Sequence, residues 1–173
     1  MSRIIHSWKK ISLVEQDVTL PTGATLKHTT ITHPGATVIL PVNRENQIII
    51  LRQYRPSIAA WLYELPAGTM ETGESPLECA QRELGEEAGL TAKTWTALGQ
   101  ITPLAGFCNE VQHLFLAKDL IETDAFQQDE DEVIEVETFS LAALEQKIIS
   151  NEITDAKTIA CLSRAKLCGY LSE

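Results

Sequence analysis

Positive charge is scarce in this chain: 14 Lys and Arg stand against 24 Asp and Glu, for a formal net charge of −10. Such a balance argues against a general nucleic-acid binder, which needs a basic patch for phosphates. Long apolar runs are missing too. No stretch approaches the roughly 18 residues of a membrane span, and the opening MSRIIHSWKK lacks the apolar core of a signal peptide. The expectation is a cytoplasmic protein with no membrane and no nucleic-acid partner. Cys79, Cys108, Cys161 and Cys168 form no CxxC pair. They read as small buried residues in a reducing compartment rather than zinc ligands. His6, His28, His33 and His113 show no ligand spacing either. No repeat, linker or low-complexity segment interrupts the 173 residues, a length that suits one domain, and 44% hydrophobic content can fill a core.

What is present reads first as β structure. Residues 10–20 and 24–31 alternate loosely around the turn Pro21-Thr22-Gly23, and His33-Pro34-Gly35 ends the pair. ATVILPV and QIIILRQY flank Asn43-Arg44-Glu45-Asn46 and predict a buried hairpin. WLYELP, residues 94–102, residues 111–117 and VIEVETF read as further strands. Helices are expected after Ser140 and after Asp155, each a plausible N-cap. Strands on both sides of a central helix, with helices at the C-terminal end, predict an α/β fold of three α/β/α layers with a mixed sheet.

That central helix is unusual. GTMETGESPLECAQRELGEEAGL holds Glu71, Glu74, Glu78, Glu83, Glu86 and Glu87 against a single basic residue, Arg82. Ser75, Pro76 and Glu78 form a helix start with a capping box, and Gly89 is a natural stop. Leu77, Ala80, Leu84 and Ala88 recur at helical spacing as an apolar face. Glu83 and Glu87 lie one turn apart with Glu86 beside them, near the end of the helix where the dipole prefers cations. An acidic solvent face is one reading of this crowding. A bound divalent cation, which takes carboxylate oxygens, waters and phosphates, is the other. Gly85, inside the helix, costs about 1 kcal/mol relative to Ala. A close neighbour, a close substrate or a tolerated surface glycine would each account for it.

The segment resembles the Nudix hydrolase box. Gly68, Glu74, Arg82, Glu83, Leu84, Glu86, Glu87, Gly89 and Leu90 fill its fixed or restricted positions within 23 residues. The resemblance implies a Nudix α/β/α sandwich that hydrolyses a nucleoside diphosphate linked to another group, using Mg2+ or Mn2+. It implies Glu83 and Glu87 as principal metal ligands, joined by Glu86 and the carbonyl of Ala67, with Arg82 pairing with a box glutamate, Glu74 first.

Beyond the box, Gln53-Tyr54-Arg55-Pro56, Glu64-Leu65-Pro66-Ala67-Gly68 and Gly106-Phe107-Cys108-Asn109-Glu110 are similar to bacterial ADP-ribose pyrophosphatases. By that resemblance Arg55 contacts the diphosphate, and Glu64 either adds a water-mediated metal contact or holds Arg55. His28 is a candidate base contact or an ordinary strand histidine. Four adjacent acids, Asp129-Glu130-Asp131-Glu132, are otherwise a solvated turn, but the resemblance implies that this run supplies the catalytic base: Glu130 by register, Glu132 second, with Glu86 of the box as the recourse if neither serves. The implied substrate is ADP-ribose, cleaved to AMP and ribose 5-phosphate. Ala105-Gly106 stands where many ADP-ribose enzymes carry Pro-Gly, so other nucleoside diphosphate sugars stay open, as does a non-catalytic sensing module. The implied organisation is an N-terminal β-rich extension, residues 1–35, that dimerises, and a hydrolase domain, residues 36–173, in a homodimer.

Overall fold

The computed structural model describes residues 2–126 and 132–171. The chain opens with β1 (Ser2–Trp8), β2 (Ile11–Thr19) and β3 (Thr25–Thr32), an antiparallel sheet with β1 at its edge. Then come β4 (Ala36–Pro41), β5 (Gln47–Arg55), β6 (Ala60–Glu64) and β7 (Ala67–Thr69), followed by α1 (Pro76–Ala88). The rest comprises β8 (Leu90–Ile101), β9 (Gln112–Glu122), β10 (Ile134–Ser140), α2 (Leu141–Ile149) and α3 (Ala156–Leu167). One sheet runs β7-β4-β9-β8, mixed because β4 and β9 are parallel; the other runs β10-β5-β6.

The layers can be read from β4. Val38 and Leu40 pack with Leu114, Leu144 and Leu162, toward α2 and α3. Ile39, on the opposite face, packs with Ala80 and Leu84 of α1 and with Ala117. A strand covered on both faces carries a continuous apolar run instead of an alternating one. Each aliphatic side chain buried this way stabilises the fold by about 1.5–3 kcal/mol, so β4 fixes α1 against the sheet. The α/β/α sandwich with a mixed sheet expected from the sequence is the fold observed, and the N-terminal β extension is a sheet of its own.

The expected β4–β5 hairpin is not formed. The two strands lie in different sheets, and their pairing is limited to an isolated bridge from Val42, just past β4, to Ile48 and the Asn43 N–H to Gln47 O bond of the turn (2.9 Å). β4 has β7 and β9 as neighbours; β5 has β6 and β10. Apolar runs report burial, not partners, and two central strands of separate sheets look the same in sequence as a buried hairpin. Leu77 is also exposed, while Cys79 and Gly85 are buried. α1 is therefore covered along a side the apolar pattern did not mark. Cys168, expected to be buried, is exposed as the C-cap of α3; the other three cysteines are buried.

The N-terminal sheet joins the rest through the end of β3. Ile31 donates its N–H to Phe107 O (2.8 Å), Asn109 donates to Ile31 O (3.2 Å), and His33 donates to Asn109 Oδ1 (2.7 Å). This seam leaves the β1–β2 turn free to reach the site described next.

Candidate active site

α1 is placed by its caps. Ser75 Oγ accepts from the Glu78 N–H (3.3 Å) and Glu78 Oε2 accepts from the Ser75 N–H (2.8 Å), completing the capping box. Gly89 ends the helix at φ 64°, a left-handed conformation that glycine adopts without strain. Gly85 is explained by a neighbour: a Cβ there would stand 2.2 Å from the Phe126 ring.

These caps set Glu83 and Glu87 against β7. Glu87 Oε2 accepts from the Ala67 N–H at 2.8 Å. The Glu83 carboxyl lies where a side chain on Gly68 would be, 1.8 Å from an ideal Cβ. Both glutamates are buried. Burial pushes the Glu83 carboxyl up to about 7, against the opposing pull of Arg82. Burial also pushes Glu87 well above the ordinary carboxylate range, only partly offset by the Ala67 N–H.

Arg82 is the hub of the acidic segment. Its Nε and Nη2 donate to Glu74 (2.9 and 3.1 Å), and its Nη1 donates to Glu83 Oε1 (2.7 Å) and Glu86 Oε2 (2.8 Å). The Arg82–Glu74 pair expected from the sequence is present, and the same guanidinium also gathers Glu83 and Glu86. One guanidinium thus draws three carboxylates together but carries a single positive charge against them, and the charges of Glu86 and Glu132 still push Glu83 up.

Among the described residues, no group of three or more His, Cys, Asp or Glu side chains is arranged to hold a metal ion. The carboxylates turn instead to Arg82 and to the Ala67 N–H. Their chemistry nevertheless fits a hard divalent cation. The donors are carboxylate oxygens, and burial disfavours the charge on Glu83 and Glu87, a penalty that a cation beside them offsets. The space left by Gly68 gives the Glu83 carboxyl its place at β7.

A second cluster of charges faces the same cleft. Arg55, at the end of β5, makes a two-pronged bond to Glu64: Nε to Oε1 at 2.7 Å and Nη2 to Oε2 at 2.6 Å. Glu64 is 1% exposed. Lys157 of α3 donates to Glu64 Oε2 and, at 3.0 Å, to Asp155 Oδ1. Of the two roles open to Glu64, holding Arg55 is the contact observed. Glu132 lines the cleft, accepts from Gln53 Nε2 at 3.3 Å, and adds its charge to the upward push on Glu83 and Glu87. Glu130 lies outside the described residues. His28 sits on β3 opposite Gln16 and is not among the residues lining the cleft.

The cleft between these clusters has a volume of about 610 Å³, within the usual range for small-molecule sites. Several of its walls were missed by sequence reasoning. Lys9, Lys10 and Ile11 reach it from the β1–β2 turn, and Lys10 pairs with Glu71 at 3.0 Å. Glu110 and Gln112 line it from the start of β9. Gln112 is 8% exposed, and its Nε2 donates to Glu110 Oε1 at 3.0 Å. Its Oε1 has no hydrogen-bond partner among the described residues. Lys157 was missed although it stands two residues after the expected cap Asp155; its target, Glu64, is 93 residues away.

The NUDIX domain family matches residues 31–160. The ADP-ribose pyrophosphatase of Bacillus subtilis (strain 168) is 38% identical over 164 residues, covering 94% of this chain and 89% of that protein. The methanol dehydrogenase activator of Bacillus methanolicus is 35% identical, with the same coverage of each. Among solved structures, the crystal structure of an ADP compounds hydrolase superposes with a TM-score of 0.80 at 18% identity, covering 96% of this chain and 90% of that one. At that identity the last likeness concerns the fold alone.

Proposed function

Because the chain belongs to the Nudix family and is a Nudix pyrophosphatase, we propose that it hydrolyses the diphosphate of a nucleoside diphosphate sugar. ADP-ribose is the first candidate substrate, giving AMP and ribose 5-phosphate, with Mg2+ as the cation and Mn2+ as a substitute. The observation that carries this reading is that Glu83 and Glu86, held by Arg82, line the same cleft as Arg55 and Glu132. Acidic oxygens for a cation and a guanidinium for phosphate thus meet in a space of substrate size. The name of the B. subtilis relative supports the choice of ADP-ribose.

Glu83, Glu86 and Glu87, with the Ala67 carbonyl, would hold the divalent cation. When bound, such a cation neutralises charge developing on the diphosphate and lowers the pKa of the attacking water. Glu83 and Glu86 each give Arg82 one oxygen, which leaves Glu83 Oε2 and Glu86 Oε1 for a cation, and two bonds to Glu74 keep the guanidinium in place. Arg55 has five N–H donors and commits two to Glu64; the rest are available to diphosphate oxygens. Water attacks one phosphorus, the bond from that phosphorus to the bridging oxygen breaks, and the other phosphate leaves with the bridging oxygen. The water's proton passes to Glu130, with Glu132 as the second candidate and Glu86 the third.

Residues 1–35 form the dimerisation element in this reading and residues 36–173 the hydrolase domain. β1 is an edge strand exposed along its whole length, with Ile4 at 65% and Trp8 at 42% exposure, and unpaired edges of this kind invite a second chain.

A substrate panel tests the proposal: ADP-ribose, ADP-glucose, GDP-mannose, NADH and diadenosine polyphosphates, each with Mg2+ and with Mn2+. ADP-ribose should have the highest kcat/KM. Faster turnover of another nucleoside diphosphate sugar would move the substrate assignment. Tight binding without turnover of any compound would make the chain a sensor.

A further inference from the structure

Lys157 has no part in the reading above, yet it lines the cleft and shares a buried carboxylate with Arg55. Glu64 Oε1 is taken by Arg55 Nε, and Glu64 Oε2 is taken by both Arg55 Nη2 and Lys157 Nζ. Lys157 is fixed in turn by Asp155 Oδ1 at 3.0 Å, and the other oxygen of Asp155 caps α3 through the Thr158 N–H at 2.9 Å. The chain of contacts therefore runs from the helix cap through Lys157 and Glu64 to Arg55. Its end on α3 is anchored: Thr158 is fully buried and its Oγ1 accepts from the Leu65 N–H at 2.8 Å, beside Glu64.

A lone carboxylate facing one arginine can rotate with it. A carboxylate whose second oxygen is pinned by a lysine cannot rotate without breaking a charge-assisted bond. We propose that Lys157 is a positioning residue of the hydrolase. By pinning Glu64 from α3, it fixes the plane of the Arg55 guanidinium at the cleft edge, in the pose that receives the substrate's diphosphate. The inference rests on the assignment of the cleft to a nucleoside diphosphate sugar. Lys157 acts through Glu64 and Arg55, so its effect belongs in substrate binding rather than in the attack of water.

The test is a double-mutant cycle on the full-length protein with ADP-ribose and saturating Mg2+. Lys157→Met should raise KM up to about 10-fold, part of the roughly 10- to 100-fold that losing a charge-assisted bond to the diphosphate itself would cost, with kcat within about threefold of wild type. Arg55→Ala should raise KM at least as much. The double variant should resemble Arg55→Ala, since residues acting in one network are not additive. Lys157→Arg should restore most of the affinity. Melting temperatures measured alongside separate folding from binding, and Lys157→Gln carries the same test if the methionine variant does not fold. Unchanged KM in folded Lys157→Met, or multiplicative KM effects of the two changes, would overturn the inference while leaving the hydrolase reading intact. A wild-type protein that turns over no nucleoside diphosphate sugar would remove both.

Discussion

Gly68 and Glu83 share one space: the carboxyl of Glu83 fills the position where any other residue at 68 would carry its Cβ, 1.8 Å away. The glycine is therefore required by the glutamate, not by its own backbone angles. Gly68→Ala should push the end of a flexible side chain aside, a modest cost of about 1–3 kcal/mol in stability. It would also displace a proposed metal ligand, and misplacing a reacting constellation by about 1 Å can cost 10²-fold in rate. The expected result is a folded protein with kcat lowered about 10²-fold. Unchanged kcat would mean that the Glu83 position does not matter to turnover.

Glu64 gives the fold a pH dependence. Burial pushes its carboxyl up, but the bonds from Arg55 and the charge of Lys157 outweigh it, so the net shift is down from 4.5. A carboxyl lowered on folding stabilises the fold above its unfolded pKa and loses that contribution as pH falls through its folded pKa. Glu64→Gln should therefore melt below wild type at neutral pH, and the gap should narrow as pH falls below 4.5. A gap that stays constant down to about pH 3 would show that the carboxylate charge contributes nothing to stability.

Much of this site was legible because its determinants are local. The capping box, Pro76, Gly89 and the Arg82–Glu74 pair all fall within the 16 residues from Glu74 to Gly89, and local hydrogen bonds follow from spacing alone. The pairing of β4 was not legible, since Ala36 to Pro41 is buried on both faces and such a run names no partner. The same limit hid Lys157, whose target Glu64 lies on another element, and the approach of Lys9 and Lys10 to the cleft. Gly85 was ambiguous in sequence because Phe126, which fills the space above it, lies far along the chain.

The proposed base can be separated from its acidic neighbours by kinetics. Glu130→Gln should lower kcat by about 10²–10⁴, the usual range for general-base catalysis. Substrate affinity and Mg2+ dependence should be nearly unchanged. Asp129→Asn and Asp131→Asn should stay close to wild type. A large loss in Glu132→Gln instead would assign the base to the residue that lines the cleft. No loss in either would move the role to Glu86.

The exposed edge strand makes a prediction about assembly. Ile4→Glu combined with Trp8→Glu replaces two exposed apolar side chains of the edge strand β1 with charges, which disfavour edge-to-edge pairing. Light scattering should find a dimer for the wild type and a monomer for the double variant. An unchanged dimer would place the interface elsewhere, and a monomeric wild type would remove the proposal.

The most direct measurement follows the oxygen of the attacking water. The protein is incubated with ADP-ribose and Mg2+ in ¹⁸O-enriched water, with and without chelator, and the products are weighed by mass spectrometry. The expected products are AMP and ribose 5-phosphate, with one ¹⁸O atom in one of the two phosphates and none in the other. Turnover should stop on chelation, and it should fall by about 10²–10³ in Glu83→Gln and in Glu87→Gln, since each removes an oxygen from the cation that stabilises the transition state. Products formed at full rate without a divalent cation, or by either variant, would contradict the proposed metal-dependent hydrolysis.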